Sequence, residues 1–372
     1  MAREIELKLC LAQDQVKRLQ RLPLLVEEAE YCGRRALHNQ YFDTPDLALT
    51  AAGVALRIRE QDGRHIQTLK TRGASQGGLH QRNEWEWDLA GNELDKELLK
   101  TARWPGRLAS DSVLQCIGPV FRTDFERTTW LLRRDGALIE IALDQGEVTA
   151  VARDGHKGHE LLCEVELELK EGEPAELYAA ALELAGAVPL LISDISKAER
   201  GYRLLTAEQP AMSGASPVTE TMRAGEAFQA LAEHALNDVS RGLELWRDNQ
   251  DWLGATLAAQ ALQRLRASLA CFAPLLSGES ESLLSRLGLL NCALDQALSW
   301  RTLLAMLDES QVAGWSAQQA PVALRRLDAL LRAPEPGLLL LECSRLLNRA
   351  ADVATAQQPL AFFTPELDKL PL

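Results

Sequence analysis

Apolar and polar positions alternate with a period of two through most of residues 1–205, and the period then changes to 3.6. In REIELKLCL, residues 3–11, Ile5, Leu7, Leu9 and Leu11 share one parity and Glu4, Glu6 and Lys8 the other. The same alternation recurs in VALRIRE (54–60), HIQTLKT (65–71), HQRNEWEWDL (80–89), RTDFERTTWLL (122–132), ALIEIALDQ (137–145) and LLCEVELELK (161–170). Each predicts a strand with one apolar and one polar face. Asp62-Gly63, Gly77-Gly78, Asp135-Gly136 and Asp154-Gly155 punctuate them as turns. Helical stretches are expected at about 12–21, 93–102, 109–116 and 174–187, the last with Pro near its start and Gly at its end.

Residues 206–220, TAEQPAMSGASPVTE, carry no period and read as a linker. Beyond them Phe228, Leu231, Ala232, Ala235, Leu236, Val239, Leu243 and Trp246 form one helical stripe. Further helices are expected at about 252–276, 281–309, 318–332 and 337–351. The reading is therefore two domains, 1–205 rich in strands and 221–372 an all-α bundle, joined by 206–220.

Composition narrows the function classes. With 372 residues, 47% of them hydrophobic, the chain can bury two cores. The formal net charge of -13 argues against nucleic acid as a partner, which needs a basic footprint, but not against a small anion held by a local cluster of Arg and Lys. No apolar run is long enough to span a bilayer, so no membrane role is expected. The seven cysteines form no CxxC, which speaks against a disulfide framework or structural zinc. With strand-like sequence from the start in place of a secretory signal, a cytoplasmic location is expected.

The polar faces are unusual in being charged and segregated. Acids dominate Glu4 and Glu6, Glu140 and Asp144, and Glu164, Glu166 and Glu168, while Arg57 and Arg59 share a basic face. Arg82, Glu84 and Glu86 mix both signs, opposite Trp85 and Trp87. An antiparallel sheet with one wet face is the plainest account. Like charges on neighbouring strands repel, however, so acidic strands need basic neighbours or a counter-cation. A closed antiparallel barrel with a charged lumen, its apolar outside covered by helices, meets that need. Arg forks match phosphate oxygens, and Mg2+ or Mn2+ takes carboxylate oxygens and bridges to phosphates.

Several segments, in order, resemble the CYTH superfamily of triphosphate tunnel metalloenzymes. Glu4, Glu6 and Lys8 fit its ExExK signature, NQYFDTPDLAL (39–49) its Tyr-Phe-Asp-Thr segment, and GVALRIRE (53–60) its LRxR strand. QTLKT, QRNEWEW, FRTDFERTTW, CEVELELK and ISKAERGY (195–202) are similar to its later strands and closing Lys segment. The resemblance implies an α+β tunnel domain in which Glu4, Glu6, Glu164 and Glu166 hold metal, with Mg2+ or Mn2+ as cofactor. It implies phosphate contacts from Lys8, Arg57, Arg59, Lys70, Arg82, Arg127 and Lys197. Asp144 or Glu168 would supply a further ligand or orient water, so the catalytic group comprises Lys8, Arg57, Arg59, Asp144 and Glu168. Arg122 has the opposite parity to Arg127, and a regular strand cannot turn both into one lumen.

A CYTH domain followed by helices resembles the bacterial CYTH-plus-CHAD arrangement, whose helical part is associated with polyphosphate. Arg264, Leu265 and Arg266 match the end of the CHAD signature helix, whereas Thr256, Ala259 and Gln263 replace its His and Arg positions. Arg325, Arg326, Arg332, Arg345 and Arg349 form either a residual basic patch for long-chain polyphosphate or ordinary solvated helix faces. The resulting expectation is an inorganic triphosphatase acting on tripolyphosphate. Thiamine triphosphatase and class IV adenylate cyclase are alternatives on the same fold, and a non-catalytic polyphosphate-binding module is the alternative of another class.

Overall fold

The alternating segments form the strands β1 (Ala2–Cys10), β3 (Val54–Gln61), β4 (Arg64–Gln76), β5 (Leu79–Leu89), β6 (Gly118–Arg134), β7 (Ala137–Val151) and β8 (Lys157–Glu171), to which the structure adds β2 (Ala29–Asp43). The structure, a computed structural model, describes residues 2–76, 79–105, 108, 110–152, 154–206, 218–219, 221–276 and 279–350. The expected Gly77-Gly78 turn and nearly all of the expected linker lie outside the described residues.

The strands make an antiparallel sheet in the order β5-β4-β3-β2-β6-β7-β8-β1, and β1 also pairs with β5 from Ala2↔Glu84 to Leu7↔Leu79. Two expected turns close hairpins. Asp62 and Gly63 have φ of 52° and 75°, and Asp135 and Gly136 of 51° and 82°. Two-residue hairpin loops of this kind need φ > 0 at both central residues, which Asp-Gly supplies.

Sequence patterning does not announce β2. Its first half, Ala29–Arg35, is exposed or half-buried on both faces, so no apolar alternation marks it. Its register shifts between Tyr31 and Gly33, where Gly33 takes a φ of 117°, as at a β-bulge.

The apolar parity of the strands is buried. On one side Leu56 and Ile58 of β3 and Leu69 of β4 pack with Phe42, Leu49, Leu99 and Leu114, and Trp85 and Trp87 of β5 lie against them. Leu49, Leu99 and Leu114 come from the short helices Ala48–Ala51, Lys96–Leu99 and Asp111–Cys116, which cover that face. On β1, β7 and β8 the register aligns Leu7 with Leu167, Leu9 with Val165 and Ile141 with Leu167, all fully or almost fully buried. Burying each such side chain stabilises the fold by about 1.5–3 kcal/mol. The charged parity of the same strands is thereby turned to the other face.

Two helices complete this part of the chain, α1 (Pro174–Ala187) and α2 (Lys197–Thr206). Sequence reading expects α1 and treats residues 195–202 only as a closing motif. In α2 a Cβ at Gly201 would overlap the Phe121 ring, so glycine lets the helix lie directly on β6. Asp43 accepts from the amides of Thr44, Leu49 and Thr50 and from Tyr202 Oη at 2.7 Å, which ties α2 to the end of β2.

By packing, the chain divides into two compact units. One comprises residues 1–75, 79–179 and 194–210, and the other 76–78, 180–193 and 211–372. The second unit is helical, with α3 (Ala224–Asn249), α4 (Trp252–Cys271), α5 (Glu279–Thr302), α6 (Glu309–Leu331) and α7 (Glu335–Ala350). Gly242 of α3 and Gly254 of α4 face each other's backbone, where a Cβ on either would clash. The expected helix at 281–309 ends earlier, at Thr302, and passes into a 3-10 turn at Leu303–Met306; Asp308 and Gln311 then form a capping box that starts α6 at Glu309. The helix expected at about 318–332 starts earlier, at Glu309, and Pro321 lies inside it. Arg264 is bound to Asp238 at 2.7 Å, Arg286 to Glu335 and Glu342, and Arg332 to Asp328. The seven cysteines are free, and no described helix is long and apolar enough to cross a membrane.

Candidate active site

The charged parity of the strands lines a cavity of about 350 Å³. β1 contributes Glu6 and Lys8, β3 Arg57 and Arg59, β4 Thr68 and Lys70, and β5 Glu84 and Glu86. β6 contributes Phe125 and Arg127, β7 Glu140, and β8 Glu166, Glu168 and Lys170. Ser196 and Lys197 enter at the start of α2.

Register sets the acids in rows. Asp144 on β7 stands opposite Glu164 on β8, and Glu140 opposite Glu168, which in turn faces Glu6 on β1. Asp144 and Glu164 are fully buried, whereas Glu166 and Glu168 reach the cavity. The first row is held by cations. Lys197 Nζ lies 2.7 Å from Asp144 Oδ2 and 2.8 Å from Glu166 Oε1, and it also contacts Glu164 Oε1. Arg127 forks onto Asp144 with two hydrogen bonds of 2.7 Å and reaches Glu166. Lys8 Nζ stands 3.8 Å from Glu166. In the second row Lys170 pairs with Glu168 at 2.7 Å and with Glu140 at 3.9 Å.

These surroundings shift the titrations. Burial would raise the Glu166 carboxyl, but Lys197, Arg127 and Lys8 outweigh it and hold it well below the usual carboxylate range. Asp144 is likewise lowered, burial being overcome by Arg127 and Lys197. Burial dominates at Glu164, whose carboxyl is raised in spite of Lys197 and Lys8. Burial would lower Lys197, but Asp144, Glu164 and Glu166 raise it above the ordinary lysine value.

The opposite wall is basic. Burial, with Arg57 and Arg127 nearby, draws Arg59 down to about 9, so it stays protonated at neutral pH but lacks enough counter-charge. Its Nε donates to Asn39 Oδ1 at 3.1 Å. Arg57 is 9% exposed and its Nε has no hydrogen-bond partner in the structure. Lys70 pairs with Glu84 at 3.3 Å. Lys70 is thus balanced, whereas Arg59 and the Arg57 Nε leave this wall open to added negative charge, which suits an anion.

Three carboxylates can also hold a metal. One oxygen each from Asp144, Glu164 and Glu166 lie within 4.8 Å of one another. Glu164 Oε2 is buried with no hydrogen-bond partner in the structure. All-oxygen donors of this kind fit a hard divalent cation.

Of the residues singled out in the sequence, Glu6, Lys8, Arg57, Arg59, Lys70, Arg127, Glu166, Glu168 and Lys197 line the cavity, and Asp144 and Glu164 lie buried beside it. The side chains of Glu4 and Arg82 lie outside the described residues. Arg122 is exposed and bound to Asp124 at 3.1 Å, whereas Arg127, of the opposite parity, lines the cavity. Tyr41 stacks on Phe121 with ring centroids 4.6 Å apart, and it also lines the cavity and bonds Arg57. Thr68, Glu140 and Ser196 are further lining residues that carry no individual sequence signal beyond strand parity for the first two.

Fold and cavity together define a protein of the antiparallel-sheet class whose strands present acids and bases to one pocket. The chain belongs to the CYTH domain family, whose model matches residues 2–202. It is 33% identical over 208 residues to a Haemophilus influenzae protein named inorganic triphosphatase. That match covers 55% of each, so the chain spans about half the length of the curated relative. Among solved structures, a Hippeastrum protein reported to reveal a dominant triphosphatase activity is 22% identical, with a TM-score of 0.38 over 55% of this chain and 99% of that one. A Pyrococcus horikoshii protein is 18% identical, with a TM-score of 0.31 over 49% of this chain and 89% of that one.

Proposed function

We propose that the chain is a divalent-metal-dependent inorganic triphosphatase that hydrolyses tripolyphosphate to pyrophosphate and phosphate inside a tunnel walled by β1–β8. The observation that carries this reading is one cavity bordered by the carboxylates of β7 and β8 and by Arg57, Arg59 and Lys70 of β3 and β4. The pairing of β1 with both β8 and β5 supports the tunnel, and the relative's printed activity supports the reaction.

On this reading Arg57, Arg59 and Lys70 take phosphate oxygens and neutralise the charge on the departing pyrophosphate. Asp144, Glu164 and Glu166, with Glu6 at the cavity wall, are the residues to hold a metal such as Mg2+ or Mn2+. When bound, such an ion supplies Lewis-acid stabilisation of the phosphoryl oxygens and acidifies a bound water. Both Asp144 oxygens are engaged by Arg127 and Lys197, so Asp144 is a poor proton acceptor. Glu168, which faces the cavity, is the better group to orient the water. Water adds to the terminal phosphorus, the P–O bond to the bridging oxygen breaks, and pyrophosphate leaves.

Long-chain polyphosphate is no part of the activity proposed: Arg264 and Arg332 are engaged by Asp238 and Asp328, while Arg325, Arg326 and Arg349 are exposed on the helical unit. The test offers tripolyphosphate, ATP and thiamine triphosphate to the protein with Mg2+ or Mn2+, measuring phosphate, pyrophosphate and cyclic AMP. Release of equal phosphate and pyrophosphate from tripolyphosphate is expected. Cyclic AMP formation, a preference for thiamine triphosphate, or binding without turnover would each replace this reading.

A further inference from the structure

Lys197 is placed on the same carboxylates that offer the metal site. Its ammonium touches Asp144, Glu164 and Glu166 together, and those three residues alone make up the candidate metal cluster among the described residues. It is 6% exposed. The cluster is already balanced, with Asp144, Glu164 and Glu166 facing Lys197, Arg127 and Lys8. A divalent ion on these oxygens would therefore sit within a few ångströms of a fixed ammonium. The two cations repel there by on the order of several kcal/mol at the effective dielectric of such sites.

We propose that Lys197 is a competitor for the metal position and a coupler of metal to substrate. It holds the carboxylates until a divalent ion displaces its ammonium, which then turns into the cavity it already borders and takes a phosphate oxygen. The geometry supports the displacement. Lys197 is the first residue of α2, so its stem can swing without disturbing the helix, while Gly201 and Tyr202 pin that helix on Phe121 and Asp43. The Phe125 ring lies 4.9 Å from Nζ and offers an apolar surface along which the ammonium can slide. Arg127 cannot play this part, because its fork onto Asp144 fixes it in one orientation. By linkage, triphosphate must then tighten metal binding and metal must tighten triphosphate binding by the same factor.

This inference rests on the proposed metal use. The test measures Mn2+ binding to the full chain by electron paramagnetic resonance of free Mn2+, with and without tripolyphosphate at low temperature. For Lys197→Met, Mn2+ alone is expected to bind at least about tenfold tighter than to the wild type, since one close positive charge is gone. Tripolyphosphate should then add little, whereas in the wild type it should tighten Mn2+ binding clearly. Unchanged or weaker Mn2+ binding by Lys197→Met overturns the proposal. If neither protein binds Mn2+ even with tripolyphosphate, the metal reading itself falls and the proposal with it. Should Lys197→Met fail to fold, a crystal structure of the wild type with Mn2+ decides: an ammonium moved off Asp144 and Glu166 supports the proposal, and one still on them beside a bound ion overturns it.

Discussion

Glu166 is the most connected carboxylate of the site, accepting from Lys197 and Arg127 with Lys8 nearby. Replacing it by Gln removes a charge from a buried balanced group, which costs about 3–5 kcal/mol when one partner is lost. Urea denaturation of Glu166→Gln should show a loss of that order, together with loss of tripolyphosphate turnover. Arg57→Ala should lower kcat/KM by about 100-fold, the scale for removing one preorganised charge-stabilising donor. Arg122→Ala, outside the cavity, should leave turnover unchanged. The pH dependence follows from the same contacts. Asp144 and Glu166 are held below their unfolded values, so the stability they contribute is present above about pH 4 and is lost as pH falls through their folded values. Glu164 is raised, so its contribution has the opposite sign and fades as pH rises through its folded value. With two lowered groups against one raised, the urea midpoint should drop on acidification below about pH 4, and less steeply in Glu166→Gln.

Among elements, α2 has the greatest leverage on the site for its length. It delivers Lys197 to carboxylates on β7 and β8, and its distance from Phe121 is set by Gly201. Gly201→Ala would push the helix outward, at about 1–3 kcal/mol for overpacking, and should raise KM for tripolyphosphate as Lys197 retreats. Thermal unfolding and steady-state kinetics of that variant check both effects. Strand parity made most of the site legible in the sequence, since Glu6, Lys8, Arg57, Arg59, Arg127 and Glu166 all fall on the polar parity and all reach the cavity. The helical character of α2 was not legible, because SKAERGY is short and polar and is stabilised by tertiary contacts such as Tyr202 on Asp43. Nor was the outer half of β2, which carries no buried face. That Lys197 meets acids was equally hidden, because its partners lie more than thirty residues upstream, on other elements.

Across the whole chain, sheet and helices are separate packing units, each with its own core. Ligand binding to the sheet unit should raise its stability by mass action, about 2.7 kcal/mol at a hundredfold excess over Kd. Calorimetry with tripolyphosphate under non-turnover conditions should therefore move one unfolding transition upward by several degrees, and a second transition without that shift would belong to the helical unit. The interleaving of core and cavity through the sheet has one more consequence. At the centres of β1, β3 and β8 inward-packed residues such as Leu7, Leu9, Leu56, Ile58, Val165 and Leu167 alternate with charges in the pocket such as Glu6, Lys8, Arg57, Arg59, Glu166 and Glu168. Such stretches have few spare letters, so mutational drift there is arrested at most sites. Evolvability must then reside at the margins, in strand ends and in stretches such as Ala29–Arg35, where most side chains are open to solvent and replaceable. A saturation library should show this as a near-blank band across residues 5–10 beside a tolerant one across 29–35.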